Sequence, residues 1–372
     1  MKKVVVILAS LFLFFSCSVF AFATDIREYP GEKLAEKLLD EMPPAVKELS
    51  DELGIDEITP ETIMQLDPKD FFSWIIEQIK TYMFSPLKSV GVVFAIIVFC
   101  AVAEALRPNA DKTLNETFST ISSLAVSAVL LSSAIECIKK GSIAVEDFSS
   151  FMTGYVPVFA STLTASGYVN SAGAYSAVMF LVCQIVSRVA ATILLPLLGI
   201  YLAISIVGGI NPSLKLNAIA DGFKICVNKT LGFSLTVFVG MMSLQTLVTV
   251  GSDNVAIKAG KYLIGNFVPV VGSAISEVFL SVQGYMKLMK NCIGWYGVIG
   301  VILLFLPAII EILIWKVAVY FLQIVSQTLD VKNITATVNA FGSVLTMLMA
   351  ILLTFALLLI VTTTIMLIAG TG

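Results

Sequence analysis

Apolar residues along this chain gather into long runs with little alternation. Ser89–Leu106 is the first, with Glu104 near its end and Arg107-Pro108 after it. Phe118–Ile138 follows, rich in Ser and Ala, then Ala174–Ile210, Thr230–Val250, Ile293–Val325 and Phe341–Ala369. A bilayer core of about 30 Å is crossed by about 20 apolar residues in a helix. Each run is long enough for one crossing. Ala174–Ile210 would extend about 55 Å as a helix, and Ile293–Val325 is of the same long type. Each holds an internal proline, Pro196 and Pro307, where the run would kink or turn back. The expected fold class is therefore all-α, a polytopic transmembrane helical bundle of six spans, or eight if both long runs are hairpins.

The polar and mixed stretches between the runs carry a second pattern. Tyr155–Ser161 (YVPVFAS) and Phe267–Ser273 (FVPVVGS) share the order aromatic-Val-Pro-Val-x-small-Ser. Each copy follows a polar stretch, GSIAVEDFSS or GSDNVAIKAGK, and precedes a long apolar run. Pro196 follows Pro157, and Pro307 follows Pro269, at similar distances. This predicts a tandem repeat with units at about 114–210 and 226–325 and a closing helix at 341–369. The polar stretches are expected as loops. The Val-Pro-Val elements are either re-entrant segments or kinks in ordinary helices, since proline withholds a donor and irregular backbone at depth must be buried or line a cavity.

Ahead of the runs, Lys2-Lys3, the apolar Val4–Phe15 and Ala21-Phe22-Ala23 form the order of a secretory signal peptide, 1–23. Cleavage would leave the following residues extracytoplasmic; an uncleaved anchor is the other reading. Cys17 stands in a poor lipobox. Residues 24–85 are expected as an acidic extracytoplasmic segment ending in an interfacial helix, and 86–372 as the transmembrane domain. The interfacial helix would open at Asp67-Pro68, with Phe72, Ile75, Ile76, Ile79 and Met83 on one face and Trp74 and Tyr82 at the headgroup boundary.

Composition narrows the function classes. Of 372 residues, 58% are hydrophobic and only 13% charged, against roughly 25% charged in soluble domains. Histidine is absent, which removes the commonest general base and metal ligand. The six cysteines have no C-x-x-C spacing and read as small buried hydrophobes. The net charge of −3 hides an asymmetry, because residues 24–80 hold fifteen acids against six bases. An acidic arm on a slightly basic membrane body argues against nucleic-acid binding. There is no G-x-x-x-x-G-K-[ST], so ATP use would belong to a partner, and no catalytic constellation or cofactor motif stands out.

Candidate functional residues are therefore intramembrane charges and prolines. Glu104, Arg188, Glu277, Glu311 and Lys316 lie in or near apolar runs. Such charges tend to face a polar cavity or a partner, and Arg188 could pair with Glu277 or Glu311 along a polar path. The plainer reading has Glu104 and Lys316 snorkelling and Arg188 at an interfacial hairpin turn. Pro157, Pro269, Pro196 and Pro307 complete the pathway-lining candidates. Gly294, Gly297 and Gly300 read as helix-packing positions. With the arm outside, loops 107–116 and 211–229 fall inside; the latter carries Lys215, Lys224 and Lys229 as the positive-inside rule wants. Lys139-Lys140 and Lys258/Lys261 would lie outside, against it.

The phrases AEALRP (103–108), YVPVFASTLTASG (155–167), GGINPSLKL (208–216) and NFVPVVGSAISE (266–277), in this order behind a signal peptide and acidic arm, resemble the stage III sporulation protein AE family. The resemblance spans essentially the whole chain and carries no catalytic motif. It implies a sporulation protein in the mother-cell membrane around the forespore, within a channel or secretion-like apparatus joining the two cells. It further implies partners among the other stage III sporulation A-operon proteins, including a cytoplasmic secretion-type ATPase and ring-forming membrane proteins. A secondary transporter with a midplane site between the repeats is the alternative.

Overall fold

The computed structural model describes Lys47 and residues 68–106, 112–210, 216–267 and 272–369. The expected signal peptide, the rest of the acidic arm and Pro269 lie outside the described residues. The described chain is almost wholly helical: α1 (Pro68–Ala105), α2 (Lys112–Ala165), α3 (Val169–Val189), a π turn (Ala190–Leu194), α4 (Leu195–Ile210), α5 (Asn217–Phe267), α6 (Gly272–Thr328) and α7 (Lys332–Ala369). Six stretches among the described residues are long and apolar enough to cross a membrane, with α3, the π turn and α4 counting as one.

The helices overrun the apolar runs. α2 has 54 residues, about 81 Å, and continues straight through GSIAVEDFSS and YVPVFAS. That corrects the expectation of a loop in the first unit and, of the two readings of its Val-Pro-Val element, leaves the ordinary helix. The physical reason lies in the inward residues of the polar stretch. Ala144, Val145 and Phe148 keep the helical period and are buried. Gly141 costs helix propensity, but its bare Cα lets α7 approach; a Cβ there would stand 2.6 Å from a Leu348 methyl. GSDNVAIKAGK is likewise helical, within α5.

Nor do the long runs fold into hairpins at their prolines. α6 passes through Pro307 unbroken. Upstream of Pro196 the helix widens by one π turn, where the Leu195 N–H donates to the Ala190 carbonyl five residues back. A proline ring crowds the carbonyl four residues before it, and the wider turn accommodates that crowding while the rod continues. α1 similarly runs through Pro86, joining the expected interfacial helix to the first span as one 38-residue helix. Phe72, Ile76, Ile79 and Met83 do face outward, and Trp74 is buried against the bundle.

Where the chain does turn, the backbone explains it. At Leu163–Tyr168, Gly167 adopts φ 92°, the Tyr168 N–H donates to the Leu163 carbonyl and the Gly167 N–H to that of Thr164. This is a Schellman end, which glycine enters without steric cost. The α6–α7 turn repeats it with Asp330 at φ 52°, the Val331 N–H donating to the Ser326 carbonyl.

Contacts fix the helix directions. α2 meets α6 in descending order, through Phe148–Phe305 and through Tyr155 against Gly297, so the two are antiparallel. α2 meets α7 in ascending order, through Ser123–Thr337 and Phe148–Phe355, so these are parallel. Phe148, Phe305 and Phe355 form an aromatic centre with centroids 5.2–6.4 Å apart. A Cβ on Gly297 would overlap the Tyr155 ring, so the close approach of α2 and α6 requires glycine there. This is the packing role the sequence assigned to that residue.

Candidate functional site: a half-buried ion pair between α2 and α6

Among the described residues, three polar loci join helices within the apolar core. In the first, Lys140 of α2 donates to both carboxylate oxygens of Glu311 on α6, at 2.8 and 2.9 Å. Glu136, one turn earlier on α2, stands 3.5 Å from the same ammonium. The Lys140 ammonium also lies 5.6 Å from the centroid of the Tyr82 ring of α1. Exposure is graded: the side chains of Glu136, Lys140 and Glu311 are 57%, 39% and 6% accessible. The row acid, base, acid thus leads from the surface inward. A bidentate carboxylate–ammonium pair of this kind offsets part of the desolvation cost of Glu311. Chemically it can hold a charge, or exchange a proton or cation with the outside through Glu136.

The second locus surrounds the α2–α3 turn. Asp253 on α5, fully buried, accepts the backbone N–H groups of Asn170 and Ser171 at 2.9 and 2.8 Å. These are donors of the first turn of α3, whose own preceding residue, Tyr168, makes no side-chain cap. Asp253 therefore caps α3 from a neighbouring helix. Close by, the buried Lys290 of α6 donates to the Leu367 carbonyl at 2.9 Å, in the last turn of α7, and lies 5.9 Å from the Tyr168 ring centre. A cation at a helix C-terminus meets unsatisfied carbonyls and the negative end of the dipole.

The third locus is the hydroxyl cluster of Ser123, Ser127 and Thr337, joining α2 and α7 with oxygens 3.2 and 3.5 Å apart. Such groups hold helices together in lipid by modest hydrogen bonds. Among the described residues no group of three or more Cys, Asp or Glu is placed to hold a metal ion.

A family model described as stage III sporulation protein AE matches residues 55–370. The chain belongs to that family. A curated stage III sporulation protein AE, from Bacillus subtilis (strain 168), is 25% identical over 242 residues. That alignment covers 63% of this chain and 60% of the relative, so the match spans less than two thirds of the relative's length. No solved structure matches. Family membership together with six apolar helices makes this chain a multi-pass membrane protein of sporulation.

Within this family member, the sequence candidates divide. Glu311 is buried, but its partner is Lys140 and not Arg188. Arg188 is exposed on the last turn of α3, in a continuous rod and not at a hairpin turn. Glu277 belongs to α6, and its side chain lies outside the described residues. Pro157 and Pro196 face outward, and Pro307 is partly buried. Glu104 is exposed near the end of α1, and Lys316 is half-buried. Sequence reasoning missed Lys140, Asp253 and Lys290, because all three sit in stretches that are polar in composition. Only Lys140 carried a usable signal: Glu136 and Lys140 are spaced i, i+4, an arrangement suited to a helix and not to a loop.

Proposed function

We propose that this chain is a platform or conduit component of a channel or secretion-like complex linking mother cell and forespore, needed for forespore development after engulfment. The family match over residues 55–370 carries the reading. The architecture supports it: long rods held by internal polar locks suit a membrane platform on which other proteins assemble. On this reading the protein resides in the mother-cell membrane around the forespore, with its acidic N-terminal segment extracytoplasmic. Its partners are the other stage III sporulation A-operon proteins, including a cytoplasmic secretion-type ATPase that supplies the energy and ring-forming membrane proteins.

Deletion in the source bacterium is expected to leave vegetative growth intact and to arrest spores after engulfment, scored by microscopy and heat-resistant counts. Normal spore yield would overturn the proposal. One observation favours a second reading: the graded row Glu136, Lys140, Glu311 resembles an ion-coupling site, as in a secondary transporter. A growth defect tied to a single nutrient would select that reading.

A further inference from the structure

The outward faces of this bundle are not alike. Beyond the exposed Lys88, α1 presents Val98, Phe99 and Val102, and beyond the exposed Lys229, α5 presents Phe233, Val237 and Leu244, as lipid-facing helices do. The C-terminal half of α2 is reversed. Ile143 apart, its large residues Phe148, Phe151, Tyr155 and Phe159 point inward, while Glu146, Ser150, Thr153, Ser161 and Thr164 are exposed at helical spacing. The hydroxyls of Thr153, Ser161 and Thr164 bond carbonyls four residues back, so they tolerate poor hydration. Glu146 has no such refuge. Beside this stripe, α3 exposes Leu181 at 55%, Ile185 at 54%, and then Arg188. A lipid-facing surface would not carry Glu146 and Arg188 side by side, and a solvated one would not set Leu181 and Ile185 next to them. Apolar side chains bordered by opposite charges are the make-up of a protein interface.

Height identifies the occupant. Gln184 of α3 accepts from Ser149 and donates to Thr153 of antiparallel α2. One turn beyond Gln184 stands Arg188, and one turn before Ser150 stands Glu146, so the two charges share a level. Among the described residues no ion pair joins them within the chain. Copies inserted with the same topology are related by rotation about the membrane normal, which preserves height. A charge on one copy can therefore meet only a charge at its own level on the next. We infer that the α2–α3 face is a self-association surface, in which Glu146 of one copy pairs with Arg188 of another and the hydroxyl stripe lies along the junction. This deepens the platform reading by giving it a means of assembly. Its assay needs no sporulation, so its failure would leave that reading standing.

The test uses the full chain in lipid nanodiscs or mild detergent. Two differently tagged copies should co-purify as native protein. Glu146→Lys alone and Arg188→Glu alone should each lose that co-purification, by opposing like charges, and the two together in one chain should recover it. A fold defect would not be repaired by the swap. In parallel, chains bearing Glu146→Cys should cross-link to chains bearing Arg188→Cys, while Phe233→Cys chains do not cross-link to either. Co-purification that never occurs, or that survives both single changes, overturns the proposal; so does a Glu146→Cys cross-link formed only to a different protein.

Discussion

Lys140 and Glu311 form one ion pair, yet they are unequal targets. Removing the ammonium by Lys140→Met strands a carboxylate that is nearly inaccessible; removing the carboxylate by Glu311→Gln leaves an ammonium that still reaches solvent and Glu136. Breaking a buried pair costs about 3–5 kcal/mol, and the graded exposure puts Lys140→Met near that range and Glu311→Gln nearer 1–2. The double change Lys140→Met/Glu311→Leu removes both charges and is expected to recover most of the loss. Thermal unfolding in detergent checks the order: a Glu311→Gln protein less stable than Lys140→Met would contradict it. At this scale the sequence was half legible. An acid inside an apolar run is conspicuous, so Glu311 stood out from its neighbours alone. Its partner did not, because Lys140 sits in a polar stretch and only the fold shows which cation comes within 3 Å. Arg188 was as conspicuous as Glu311, but being conspicuous does not say whether a charge faces inward or outward.

At the scale of the element, local propensity loses to packing in several places. Helix α2 continues over a polar stretch because the inward residues keep the apolar period and the stretch's one glycine, Gly141, sits where α7 needs room. Composition reported the outward face of that stretch and concealed the inward one, which is why a loop was expected. Helix α3 starts at a residue without a cap of its own, and Asp253 supplies the acceptor across some 80 positions of sequence. No local pattern announces a cap of that kind. Asp253→Ala is expected to cost about 1–2 kcal/mol, as a lost N-cap does, because two buried N–H groups lose their acceptor. The damage should centre on the first turn of α3. Amide exchange at Asn170–Ala172 is expected to accelerate well beyond that at Tyr175–Met179, and uniform acceleration along α3 would contradict the capping role.

The described helices are rods that alternate in direction, and six stretches among them are long and apolar enough to cross a membrane, where sequence left six or eight open. Lys290 on Leu367 near the α2–α3 turn places that turn, the early part of α6 and the end of α7 at one end of the bundle. The α6–α7 turn at Leu329–Val331 lies at the other. The count of crossings hangs on the two internal prolines: α6 runs through Pro307 unbroken, and where a hairpin at Pro196 would return the chain to the side it left, the π turn lets α3 and α4 run on as one rod of about 63 Å. Sequence could not choose, since a proline in a long apolar run suits either outcome and the choice is made by the neighbouring helices α2, α5 and α7. The rod predicts that Val169→Cys and Ala218→Cys, each in a chain whose own cysteines are replaced, react with a membrane-impermeant thiol reagent from opposite sides. Intact protoplasts should label one, and inverted vesicles the other. Labelling of both from the same side would restore the hairpin and undo the alternation of every helix after it.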